Sequence, residues 1–251
     1  MNKRAKKTLN MGVKLFLRLL AATILCAILY VSMNVITTVF FSDVVGYQVF
    51  EETADGNIVQ VGDDYYYQPG EEHATAEKLK LNDNQVLTAI RVVPENKQAV
   101  MNVITQILLL ILLGIFPYHI LWAFGNRDDT NTRYRGQRTD SLRGIKVGLL
   151  AVSPYALIWL LFLISKLGVL PEVMMQAYRI SAIPFYPYVN LILGSASTTQ
   201  DVSWWQILAM APALLFVPIV SGVSYRLGGN RFSFAEFITF KKTNTEVDEE
   251  I

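Results

Sequence analysis

The densest polar stretch of the chain is Arg127-Asp128-Asp129, followed by Asn131, Arg133, Arg135, Arg138, Asp140 and Arg143. Asp128 and Asp129 together are a possible divalent-cation pair, and the arginines are suited to phosphate. Neighbouring residues in a loop seldom converge on one ion, however, and no histidine stands beside them. The plainer reading is a solvated loop whose arginines anchor it on the positive side of a membrane, with a lipid headgroup or a docking partner as the functional version. His119, one or two turns from the inner interface of the preceding span, has the chemistry of a proton relay or ligand, although a headgroup or helix-packing contact explains it as well. The run Tyr65-Tyr66-Tyr67 offers aromatic faces for stacking on a glycan or peptide, or for packing on a bilayer. His73, after Glu71 and Glu72, resembles a metal site only faintly.

No Walker A pattern, H-E-x-x-H, G-x-S-x-G or C-x-x-C occurs, so neither a cofactor nor a metal nor a catalytic set is expected. Cys26 is the one cysteine, which excludes an intramolecular disulfide.

The elements that must position these residues are four apolar stretches: Leu15–Phe41, Ala99–Phe124, Ile145–Ile164 and Trp205–Tyr225. A hydrocarbon core of about 30 Å needs about 20 apolar residues in a helix, and each stretch reaches that length. Hydrophobic residues make up 52% of the 251, and they come in blocks without a polar face, which argues against a soluble fold. The expected fold is an all-α membrane bundle of four transmembrane helices, with a small extracytoplasmic β-rich insertion between helices 1 and 2.

The net charge of +1 hides a strong sorting. Lys3, Arg4, Lys6, Lys7, Lys14 and Arg18 precede or enter the first span. Arg127, Arg133, Arg135, Arg138, Arg143 and Lys146 lie between the second and third, and Arg226, Arg231, Lys241 and Lys242 follow the fourth. The other side keeps only Lys78, Lys80, Arg91, Lys97, Lys166 and Arg179. The positive-inside rule then places both ends of the chain in the cytoplasm, across a plasma membrane. The first apolar run is too long for a signal peptide and lacks an A-x-A-like site, so it is expected to stay uncleaved.

The chain divides accordingly into a basic N-terminus with the first span (1–41), an acidic outer domain (42–98), the second span (99–124), a basic inner loop (125–144) and the third span (145–166). An outer interfacial segment (167–204), the fourth span (205–225) and an inner tail (226–251) complete it. In the outer domain, Tyr47–Glu51 alternates, Asp55-Gly56-Asn57 is a turn and Ile58–Val61 resumes, which predicts a hairpin. Pro69-Gly70 marks another turn, and Val86–Val93 is a further strand in a meander of three or four. In 167–204, Glu172–Ala182 is read as an amphipathic helix with Met174, Met175, Tyr178 and Ile180 toward lipid. The Pro-broken apolar run after it is read as interfacial or re-entrant. Ser233–Glu236 has capping-box spacing before a short inner-surface helix.

Asn34, Asn102 and Gln106 are polar positions inside the spans and are expected to bond neighbouring helices. No Asp or Glu falls inside a span, which argues against an ion-coupled carrier. Pro154, Pro212 and Pro218 are candidate kinks that free carbonyls. Gly125-Asn126-Arg127 and Gly229-Asn230-Arg231 echo each other at two inner exits, either as a repeat or as ordinary helix ends.

The run Leu121-Trp122, Gly125–Asp128 and Leu142–Gly148, with Tyr225-Arg226-Leu227-Gly228 near the end, is similar to uncharacterised polytopic membrane proteins of Gram-positive bacteria. That resemblance implies a location and no activity. The sequence favours a non-enzymatic envelope sensor, accessory or scaffold subunit acting through 42–98. A permease component is the alternative and a membrane enzyme the third reading. Expected partners are the lipid bilayer and another membrane or envelope protein, not nucleic acid.

Overall fold

The computed structural model describes residues 3–52, 58–60, 65–66, 85–135, 140–194, 196 and 198–232. In order they form α1 (Lys3–Phe41), β1 (Asp43–Glu52), β2 (Ile58–Gln60), β3 (Tyr65–Tyr66), β4 (Gln85–Val92), α2 (Glu95–Arg135), α3 (Arg143–Ser165), α4 (Val173–Ser181), α5 (Tyr186–Leu193), α6 (Trp204–Ala209) and α7 (Phe216–Gly229). Short 3₁₀ turns join α4 to α5 (Ile183–Phe185) and α6 to α7 (Ala211–Leu215). Among the described residues four helical stretches are long and apolar enough to cross a membrane: Ala5–Phe41, Glu95–Tyr134, Arg143–Ser165 and Trp204–Gly229. Their outward faces are apolar too: Leu17, Ile24, Ile111, Leu157 and Ile219 are all more than half exposed. Water would make such a surface aggregate, whereas lipid tails solvate it. The chain is thus a multi-pass membrane protein with a small sheet between its first two long helices.

Contacts divide the chain into two units, residues 1–28 with 106–251, and residues 29–105. In the first unit α1 turns a single stripe inward, Gly12, Leu15, Leu19, Ala22 and Cys26, the 3–4 spacing of a packing seam. α2 does the same with Leu109, Leu113, Pro117, Leu121, Gly125 and Asp128. α3 and α7 cross on small residues. A Cβ on Gly148 would come 2.7 Å from Pro218 Cα, and one on Gly144 would come 2.7 Å from the Ser221 carbonyl oxygen. Gly144-x-x-x-Gly148 is therefore a small-residue stripe that brings two helix backbones together, a motif available from spacing alone.

The segment 167–204 is more deeply built in than the sequence implies. Met175 and Tyr178 do not face lipid. They are buried with Phe162, Ala182, Val189, Leu193, Val202, Ile207 and Met210 in one core, and the Tyr178 and Phe162 rings stack at 5.4 Å. Of the four residues assigned to lipid, Ile180 is exposed and Met174 half-buried. An amphipathic face with this spacing serves a protein core as readily as a membrane surface.

The fourth span is not one α-helix. Pro212 lacks the amide hydrogen needed to continue the ladder, and Ala211–Leu215 tightens to 3₁₀. The carbonyls of α6 are satisfied from the side: Trp159 Nε1 donates to Ile207 O at 3.1 Å and the Tyr188 hydroxyl to Ala209 O. α6 opens on a capping box, Ser203 with Gln206, and Gln206 Nε2 also donates to Ile192 O at 2.7 Å.

In the second unit β1 is the central strand. It pairs antiparallel with β4 from Asp43 to Glu51, and with β2 and β3 at Phe50–Glu52 and Gly46–Tyr47. Phe50 and Gly46 each pair on both sides, so β2 and β3 share the edge opposite β4. Among the described residues four strands are present, but in an order that is not a simple meander. Val45 is the extra residue of a bulge between Val44 and Gly46. Lys97 Nζ contacts both carboxylate oxygens of Asp43, at 2.9 and 3.0 Å. The predicted turns at 55–57 and 69–70, His73, Tyr67 and the helix after Ser233 lie outside the described residues.

Candidate functional site

Asp128 stands on α2, not in a loop, because the helix runs on to Arg135. Its carboxylate is 9% exposed and gathers groups from three other helices. Arg143 Nη1, at the start of α3, donates to Oδ2 at 2.7 Å, and the Tyr225 hydroxyl of α7 donates to the same oxygen at 2.9 Å. Lys7 Nζ of α1 lies 3.5 Å from Oδ1. Arg143 Nε donates to Thr8 Oγ1 of α1 at 3.2 Å. Phe124, one turn before Asp128, carries both cations over its ring, Arg143 at 4.7 Å and Lys7 at 5.2 Å from the centroid. Phe124 also packs on the Tyr225 ring at 5.8 Å. Arg143 Nη2 is buried without a hydrogen-bond partner among the described residues.

Glycines let these side chains meet. A Cβ on Gly125 would overlap the carbonyl oxygen of Tyr225, and a Cβ on Gly228 would overlap that of Trp122. A Cβ on Gly144 would come 2.5 Å from Tyr225 Cβ. The start of α1, the end of α2, the start of α3 and the end of α7 therefore meet at one end of the helix body.

The remaining predicted residues do not join this cluster. Asp129 is about 100° round the helix from Asp128; it pairs with Arg133 Nε at 3.0 Å and Arg231 Nε at 3.5 Å. The two aspartates thus diverge rather than share an ion, and among the described residues no group of three or more His, Cys, Asp or Glu could hold a metal. Arg127 and His119 are exposed. Tyr65 and Tyr66 form β3 against β1, in the other unit. Asp140, just before α3, accepts from Lys146 Nζ at 2.6 Å and from the Leu142 amide. The Lys146 bond holds its carboxyl below the usual range, with the Leu142 bond and the nearby positive charges acting the same way.

Of the intramembrane amides, Gln106 joins two elements: Nε2 donates to Pro184 O and Oε1 accepts from Tyr188 N, both at 3.1 Å. Asn34 instead donates to Tyr30 O in its own helix, and Asn102 accepts from Gln98. Near the Pro184 and Pro212 turns, a cavity with about 50 Å³ of free space is lined by Leu19, Thr23, Leu113, Tyr155, Phe185 and Leu214 among others. Thr23 Oγ1 and Tyr155 Oη lie 3.2 Å apart on its wall. That is room for a few water molecules.

Neither the protein-family models, nor the curated proteins, nor the solved structures include a match to the chain.

Proposed function

We propose that this protein is a plasma-membrane sensor, accessory or scaffold subunit that does no covalent chemistry and acts through the segment 42–98. The observation that carries the reading is the condition of Asp128. The most chemistry-laden cluster among the described residues spends its carboxylate on Arg143, Tyr225 and Lys7, one from each of three partner helices. A group so committed holds helices in register, and its carboxylate is not free to act as an acid or base on a substrate. The sheet, in contrast, exposes apolar side chains at Ile58, Val59 and Val86. Both termini are assigned to the cytoplasm. The meeting of Lys7, Asp128, Arg143 and Tyr225 at one end of the helix body supports a common side for the three basic stretches, and the positive-inside rule names that side.

Photo-crosslinking from positions 47 and 86 in native membranes tests the reading. A discrete membrane or envelope neighbour is expected, and background capture alone would overturn it. A second reading, a permease component, draws on the cavity at two helix interruptions, an arrangement that transporters use for binding. A cysteine at Thr23, in a chain with Cys26 replaced by serine, separates the two. Rapid labelling by a membrane-impermeant thiol reagent favours a hydrated pathway, and protection favours the scaffold.

A further inference from the structure

Lys14 and Arg18 are exposed on α1, and neither has an acidic partner among the described residues. At about 100° per residue, Lys7, Lys14 and Arg18 fall within about 40° of one another, a single column along the helix. Lys7 is drawn to Asp128. Lys14 and Arg18 stand one turn apart, about 6 Å along the axis. The same column continues with Ala21, Leu25 and Ile28, all exposed and apolar. Reading outward from the basic end of the body, α1 thus presents two unpaired cations and then a smooth apolar track. An anionic phospholipid has that order: a charged phosphate, then an acyl chain. Side chains on a helix lean toward its N-terminus, so Lys14 and Arg18 both reach back toward the headgroup level.

We infer that the Lys14–Arg18 face of α1 is a binding site for an anionic phospholipid. The phosphate sits between the ammonium and the guanidinium, and a chain lies along Ala21, Leu25 and Ile28. Of the other exposed cations of this end, Arg127 and Arg226 stand on α2 and α7 and serve as internal controls. The inference needs α1 to lie in a bilayer but does not depend on the sensor or scaffold role.

The test is retention of phosphatidylglycerol by the purified protein after reconstitution in mixed phosphatidylcholine and phosphatidylglycerol nanodiscs and detergent release, read by native mass spectrometry. Wild type should keep phosphatidylglycerol in preference to phosphatidylcholine. K14Q/R18Q should lose that preference by roughly tenfold, since each basic group near the surface contributes appreciably to anionic-lipid binding. K14R/R18K should retain it, and R127Q/R226Q should match wild type. Equal retention by K14Q/R18Q overturns the site, as does full displacement by inorganic phosphate, which has no chain to occupy the apolar track. A chain that never enters nanodiscs defeats the membrane reading itself, a separate result.

Discussion

Gly125 and Gly228 bind α2 to α7 reciprocally: each glycine lies against the carbonyl oxygen of the residue three positions before the other, Tyr225 for Gly125 and Trp122 for Gly228. The two helices cross at backbone contact, a distance that only glycine permits on both sides. The sequence echo pairs Gly125 with Gly229, but the crossing pairs it with Gly228. A Cβ on Gly229 would meet nothing within 4 Å.

Replacing either clasp glycine should therefore force the backbones apart. G125A and G228A are each expected to lower stability by roughly 1–3 kcal/mol, the range for an inserted methyl in a packed contact. G229A should be neutral or slightly stabilising. Thermal unfolding in detergent checks the set, and a G228A protein as stable as G229A would contradict the crossing.

Removing the Asp128 charge strands two cations. D128N should cost about 3–5 kcal/mol, the scale for breaking a buried ion pair by removing one partner. Removing both members of the buried pair, as in D128L/R143M, should recover much of the loss, because the cation that remains, Lys7, is nearly half exposed and stays solvated. Additive losses in this double-mutant cycle would show that Asp128 and Arg143 are not coupled.

Asp140 titrates below an ordinary carboxylate because Lys146 donates to it. A depressed folded-state value stabilises the protein above the unfolded value, and that contribution is lost as pH falls through the folded one. The pair is largely exposed, so its share of stability is small. Carboxyl NMR should show the Asp140 titration moving upward in K146M. An unmoved titration would assign the shift to another cause.

Cys26 is fully buried on the inner stripe of α1, its Sγ 3.8 Å from Leu109 O. As the chain's one thiol it reports opening of that seam. Maleimide labelling in mild detergent should be slow and should accelerate with G125A or D128N. Immediate labelling of wild type would place α1 elsewhere.

The spans were legible because length and apolar content alone define them, and the charge sorting followed from composition at their borders. The partners of Asp128 were not legible. They depend on four helix registers at once, and a residue 97 positions away, Tyr225, leaves no local trace beside it. The Gly144-x-x-x-Gly148 and Ser203-x-x-Gln206 spacings were present in the sequence and name an α3 crossing and a helix start. The burial of Met175 and Tyr178 was hidden for a different reason, since one apolar stripe fits lipid and core equally.

The Asp128 cluster also constrains the order of assembly. It draws one member from α1 and another from α7, so neither Arg143 nor Lys7 meets its finished surroundings until α7 has been made and has packed. Insertion of the earlier spans therefore precedes a late locking step. A ribosome-stalled chain ending before Tyr225 would hold the basic end of its first three long helices by the Lys7, Asp128 and Arg143 ion pairs alone, without the Tyr225 hydroxyl or the α7 backbone.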